Sequence, residues 1–177
     1  MSKWSPKFWP VEDTSDAVLI GEISRQTDRA AGLIAAEFVN ERLKQAIVAL
    51  FLHNWPKRDE DLFSNRGAFA SFSARIDTAY AFGILGAQTR HDLNLMRRVR
   101  NEFAHELKPL DFASEPIASR CSALKLPDEV KGSFRPPPYN QIIDPRDRYL
   151  FVCSYVMSQL IAFTRLKRQD RNLCHLP

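Results

Sequence analysis

Three long windows of the chain, residues 11–55, 57–108 and 146–176, are free of proline. Proline inside a helix removes a backbone donor and clashes with the preceding turn, so these windows are where long helices can run. In the first, Ala30, Leu33, Ile34, Phe38, Ile47, Leu50 and Phe51 recur mostly at three- and four-residue steps, and Arg29, Glu37, Glu41 and Lys44 take the other faces. The spacing predicts a helix from about Thr27 to Leu52, its apolar face formed by those seven residues. A shorter helix precedes it, capped by Thr14 or Ser15, with Leu19, Ile20 and Ile23 inward. Asn54 to Gly67, with Pro56 and the run Lys57-Arg58-Asp59-Glu60-Asp61, reads as a solvated loop.

Phe69, Phe72, Ile76, Ala79 and Tyr80 restore helical spacing, which stops at Gly83, a residue suited to a C-cap. Thr89 is the expected cap of the next helix, which carries Leu93, Met96, Val99, Phe103 and Leu107 on one face until Pro109. Ala113 to Cys121 reads as a short helix. Leu126 to Pro145, containing Pro136-Pro137-Pro138, reads as an extended surface excursion. The last helix is expected from about Pro145 to Lys167, burying Tyr149, Leu150, Val152, Cys153, Val156, Leu160 and Phe163. No run of β-branched residues alternates with polar ones as a half-buried strand requires. The expectation is an all-α, single compact domain of about six helices over residues 1–177, without internal repeats.

Composition narrows this without changing it. The chain has 177 residues, 45% hydrophobic and 26% charged, enough for a sizeable core and unlike a disordered or collagenous chain. The longest unbroken apolar run, Ile47 to Leu52, is far short of the roughly 20 residues a membrane helix needs. The N-terminus shows no signal-peptide pattern, so a cytoplasmic protein without membrane contact is expected. Cys121, Cys153 and Cys174 are widely separated, without a C-x-x-C pair, which points to neither a disulfide framework nor zinc. His53, His91 and His175 are too scattered for a metal site, and no Gly-rich phosphate loop or G-x-S-x-G turn is present, so no metal or cofactor is expected.

The net charge of +4 sits largely at one end: Arg165, Lys167, Arg168 and Arg171 against Asp170 leave +3 on residues 165–171. That basic tail is the first candidate for nonspecific phosphate contact. A second is the polar side of the helix beginning near Thr89, with Arg90, Arg97 and Arg98, diluted by Asp92, Glu102 and Glu106. Residues 74–82, the turn 83–86 and that helix are the sole arrangement resembling helix-turn-helix, but Leu93, Met96, Val99 and Phe103 turn the second helix toward the core rather than toward a groove.

The densest motifs are Thr27-Asp28-Arg29-Ala30-Ala31, Phe69-Ala-Ser-Phe-Ser-Ala-Arg-Ile-Asp-Thr-Ala-Tyr-Ala-Phe-Gly83 and Met96-Arg-Arg-Val-Arg-Asn-Glu-Phe-Ala-His105, followed by Cys121. In this order they resemble the mannitol operon repressor (MltR) family, over about residues 24–165, leaving an N-terminal extension of residues 1–13 and a tail of 165–177. Thr27 stands where that family often has Ser. The resemblance implies an all-helical bacterial transcriptional regulator without a standard DNA-binding motif, acting on DNA or through another regulatory protein. Trp4, Phe8, Trp9 and Pro136 to Tyr139 are candidate contact surfaces, and a homodimer is compatible with such a role.

Arg100-Asn101 and His105 also resemble the Arg-x4-His signature of HEPN-type helical domains, many of them metal-independent ribonucleases. A histidine can move the proton of an RNA 2′-hydroxyl and an arginine can hold the scissile phosphate. At about 100° per residue, however, Arg100 and His105 lie about 140° apart on one helix, so a joint site needs the helix to end near His105 or a second copy of the chain. Otherwise Asp28, Arg29, Arg75, Asp77, Arg100, Asn101 and His105 are expected to form a polar network fixing helix register, with Arg75 or Asp77 reaching Asp28, Arg29 or Arg100 on neighbouring helices.

Overall fold

The computed structural model describes residues 14–51, 61–130 and 143–173. Seven helices run in order through them: α1 (Thr14–Ser24), α2 (Asp28–Val48), α3 (Phe72–Ala81), α4 (Ala87–His105), α5 (Ile117–Ser122), α6 (Leu126–Glu129) and α7 (Pro145–Leu173), with no strand among the described residues. The all-α expectation therefore holds. The additional element is α6, where an extended excursion was expected: Leu126 and Pro127 are buried, and Pro127 occupies the first turn, where its missing N–H costs nothing. Pro136 to Tyr139, Trp4, Phe8, Trp9 and most of the 57–61 charge run lie outside the described residues.

The helix α2 is the central post, packed against α1, α3, α4 and α7. Thr27 caps it by accepting from the Ala30 N–H. Its buried face is Ala31, Gly32, Ala35, Ala36, Val39, Leu43, Ala46 and Ile47, not the expected face through Ala30, Leu33, Ile34 and Phe38, and Ile34 is exposed. The correction has a steric reason. Small residues at 31, 32, 35 and 36 let two long helices approach the backbone closely, while the larger side chains fill the flanks.

The two neighbours are α7 and α4. Tyr149 donates from its hydroxyl to the Gly32 carbonyl at 2.8 Å, and the Cys153 thiol lies 3.4 Å from the Ala35 carbonyl, so α7 runs parallel to α2. Arg29 at the start of α2 reaches the carbonyls of Glu106 and Lys108 just past α4, so α4 runs antiparallel. The Phe103 ring seats on Gly32, with Phe112 edge-on at 5.1 Å and Tyr149 beyond it at 5.2 Å from Phe112. A Cβ on Gly32 would lie 2.5 Å from this ring. Gly32→Ala is therefore expected to destabilise by about 1–3 kcal/mol even though Ala is the better helix former. Urea unfolding of the Gly32→Ala and Gly32→Ala/Phe103→Leu variants measures this; the second is expected to recover most of the loss.

Further boundaries differ from expectation. The helix α4 begins at Ala87 after Gly86, without the Thr89 cap, and ends at His105, so that Leu107, expected inward, is 95% exposed. Gly83 has φ 71°, the left-handed turn that lets α3 reverse into α4. Residues 61–63 are helical, and Phe63 is buried against Phe69 where a solvated loop was expected. The last helix runs past Lys167 to Leu173, so residues 165–170 are helical rather than a loose tail. Over Pro145–Asp170 it is long and apolar enough to cross a membrane, contrary to the expectation from unbroken apolar runs, which Arg148, Ser154 and Gln159 interrupt here; half of its apolar window is buried in the protein. Its buried stripe, Tyr149, Val152, Cys153, Val156, Met157 and Leu160, is part of the core.

Candidate functional site

The opening motif turns out to be a joint between three chain segments. Asp28 Oδ2 accepts the Phe112 N–H at 2.9 Å, and its other oxygen pairs with Arg146 at the start of α7. Arg146 also donates to the carbonyls of Ser24 at 3.0 Å and Gln26 at 2.7 Å. Arg29 donates to the Glu106 and Lys108 carbonyls at 2.9 and 2.6 Å, satisfying groups that the end of α4 leaves unpaired.

The central motif forms two separate contacts. Arg75, 7% exposed, donates from Nε to the Phe69 carbonyl at 2.9 Å and from Nη1 to Asn40 Oδ1 at 3.0 Å, while covering the Phe63 ring. Burial lowers its pKa, with the nearby charges of Glu41 and Glu37 opposing. Asp77 holds Arg90 instead, accepting from Nε at 3.0 Å and Nη2 at 2.7 Å, both on the surface. Neither Arg75 nor Asp77 reaches Asp28, Arg29 or Arg100, so the expected pairings are replaced by Asn40 and Arg90.

In the third motif Arg100 is half-buried and donates to Asn101 Oδ1 at 3.3 Å, whereas His105 is exposed. The helix α4 does end at His105, but both residues lie within it and keep their angular separation. Arg97 is half-buried, with its Nε out of contact with solvent and without a hydrogen-bond partner; Arg98 is exposed. On α7, Arg165 and Arg168 are exposed and Lys167 pairs with Asp170 at 3.2 Å; Arg171 lies in the last turns, its side chain outside the described residues. The inward face of α4, with Asp92, Leu93, Met96, Val99 and Phe103 buried, is occupied by the core.

Asp92 and Arg148 lock α5 and α6; Asp92, expected on the polar side of α4, is instead buried, because its carboxylate takes the backbone N–H groups that open α6. Asp92, fully buried, accepts the N–H groups of Lys125 and Leu126 at 3.0 and 2.9 Å, and sits 3.0 Å from His91 Nδ1. Arg148, 6% exposed, donates to the carbonyls of Cys121, at 3.0 Å, and Leu124, and to Asp128 Oδ2 at 2.8 Å. The available signal was positional: Asp92 stands one turn before Met96, and Arg148 one turn before Val152, both on buried faces. Burial pushes the thiols of Cys121 and Cys153 up to about 12, so neither is a nucleophile at neutral pH. Among the described residues no cluster of His, Cys, Asp and Glu can hold a metal ion.

No family model matches the chain, and no curated protein does. Among solved structures, the chain is similar to one in the X-ray structure of the MtlR–HPr complex from Escherichia coli, with a TM-score of 0.61, 17% identity, and coverage of 81% of this chain and 98% of that one. The likeness extends over essentially all of that chain and establishes a distant MtlR-like helical fold for this protein.

Proposed function

We propose that this protein is a transcriptional regulator related to the mannitol operon repressor, acting by binding another protein rather than by reading DNA through a helix-turn-helix. The observation that carries this is the fold shared with a chain of the MtlR–HPr complex, along 98% of that chain. The HPr of the same cell is accordingly the partner proposed. One feature of the hairpin α3–α4 supports a protein-mediated action: α4 spends its apolar face on the core. Cytoplasmic residence and self-association as a homodimer belong to the same proposal.

A gel-shift titration against duplex DNA from upstream of the protein's own gene, at two salt concentrations, tests the mode of action. No preference over unrelated duplex is expected. Specific, salt-sensitive retention that is lost in Arg97→Ala/Arg98→Ala would replace the proposal with a direct repressor.

The ending of α4 at His105 favours one second reading, metal-independent RNA cleavage by Arg100, Asn101 and His105. Because the two side chains diverge within one chain, a second copy would have to bring the histidine to the arginine of the first. Cleavage of RNA in the presence of a chelator, abolished in folded His105→Ala, supports it; equal cleavage by both proteins removes it.

A further inference from the structure

The outward side of α4 carries Arg90, Asn94, Arg97, Arg98, Asn101 and His105 at steps of one, three and four residues. On a helix these positions share one face about 22 Å long. Two of its cations are uncommitted. Arg97 and Arg98 make no hydrogen bond or ion pair among the described residues, and the Arg97 Nε is closed off from solvent as well. The Arg97 Nε is out of reach of a ligand, but its terminal nitrogens and the exposed Arg98 guanidinium are open donors of the kind that phosphate oxygens accept from. At the α3 end of the same face, Arg90 lies over the Tyr80 ring at 4.7 Å and is steadied there by Asp77. Tyr80, in contact with Arg90, is 40% exposed, and Phe82, two residues on at the end of α3, is 54% exposed.

Cations that follow a backbone, beside aromatic rings open to stacking, are the elements with which proteins hold unpaired bases. A duplex hides its base faces and would leave the rings unused. We propose that the outer face of the α3–α4 hairpin binds single-stranded nucleic acid, with phosphates held by Arg97 and Arg98, Arg90 serving as a steered third cation, and a base stacked on Tyr80 or Phe82. The site is independent of the HPr proposal, since it needs no protein partner and uses only this face.

Fluorescence anisotropy with a labelled oligouridylate of about 12 nucleotides tests it, alongside the matching single-stranded DNA, a duplex and a poly-glutamate peptide. Binding by either single strand is expected, with a log–log salt slope of about −1.4 to −2 for two to three displaced counterions. Arg98→Gln, at an exposed position where the fold cannot suffer, should weaken binding about fivefold and flatten the slope by about 0.7. Arg97→Gln should do at least as much, and Phe82→Ala should weaken binding without altering the slope, with melting curves confirming that each variant is folded. Absence of binding at about 50 mM salt would overturn the proposal. Binding unchanged in Arg97→Gln/Arg98→Gln would overturn it too, placing the contact elsewhere, as on Arg165 and Arg168. Equal binding of duplex or poly-glutamate would also overturn it, by assigning the face to general anion attraction.

Discussion

Asp92→Ala is expected to lower the stability of this protein by about 3–5 kcal/mol, a loss of roughly 6–20 °C in melting temperature for a chain of this size. The carboxylate is fully buried in α4 and accepts the backbone N–H groups of Lys125 and Leu126, which open α6. Removing it strands two donors that water cannot reach and leaves a void between α4 and α6. The histidine beside it is a lesser contributor, because His91 is 41% exposed at its side chain; His91→Ala is expected to cost under about 1 kcal/mol. Thermal and urea unfolding of the two variants measures the difference. A shift below about 2 °C for Asp92→Ala would mean that α6 is not held as described.

Arg148→Met is expected to cost about as much, roughly 3–5 kcal/mol, from the opposite side of the same unit. Methionine preserves most of the buried stem, so the loss reports the guanidinium rather than a cavity. That group donates to the Cys121 and Leu124 carbonyls at the end of α5 and to Asp128 on α6, drawing α5, α6 and α7 together. Asp92 takes the free N–H groups of this connection and Arg148 takes its free carbonyls, so the two substitutions act on one structural unit. Their combined effect is therefore expected to fall short of the sum by about 1 kcal/mol or more. Additive losses in chemical denaturation would show instead that the two clamps act independently.

These two residues also show what the sequence could and could not disclose. The helical fold was legible because proline-free windows and three- and four-residue apolar spacing are local signals. Core positions such as Leu93, Met96, Val99 and Phe103 followed from that spacing. The buried face of α2 does not follow from hydrophobic size: Ala31, Gly32, Ala35 and Ala36 go inward because Phe103 and α7 need close approach there, a demand set by partners distant in sequence. The same limit applied to the motif residues. Asp28, Arg29, Arg75 and Asp77 stood out as polar residues in dense motifs, but their partners Arg146, Asn40 and Arg90 and the Glu106 and Lys108 carbonyls could be found only once the helices were arranged in space. Asp92 and Arg148 were readable in principle, as charges on faces otherwise apolar.

The arrangement also separates motif from chemistry. Asp28, Arg29 and Arg75 serve helix ends and loop backbones, which accounts for polar residues in these motifs without any catalytic demand. The outer side of α4 is free of such duties, with Arg97 and Arg98 unengaged among the described residues.

The central proposal, regulation through a bound protein, is tested most directly by isothermal titration of the purified full chain with the HPr of the same organism at near-physiological salt. A saturable heat with defined stoichiometry and a micromolar or tighter Kd is the expected result. A flat titration at protein concentrations of about 100 µM, where a Kd near 10 µM would still be visible as about 7 kcal/mol of binding free energy, would contradict it.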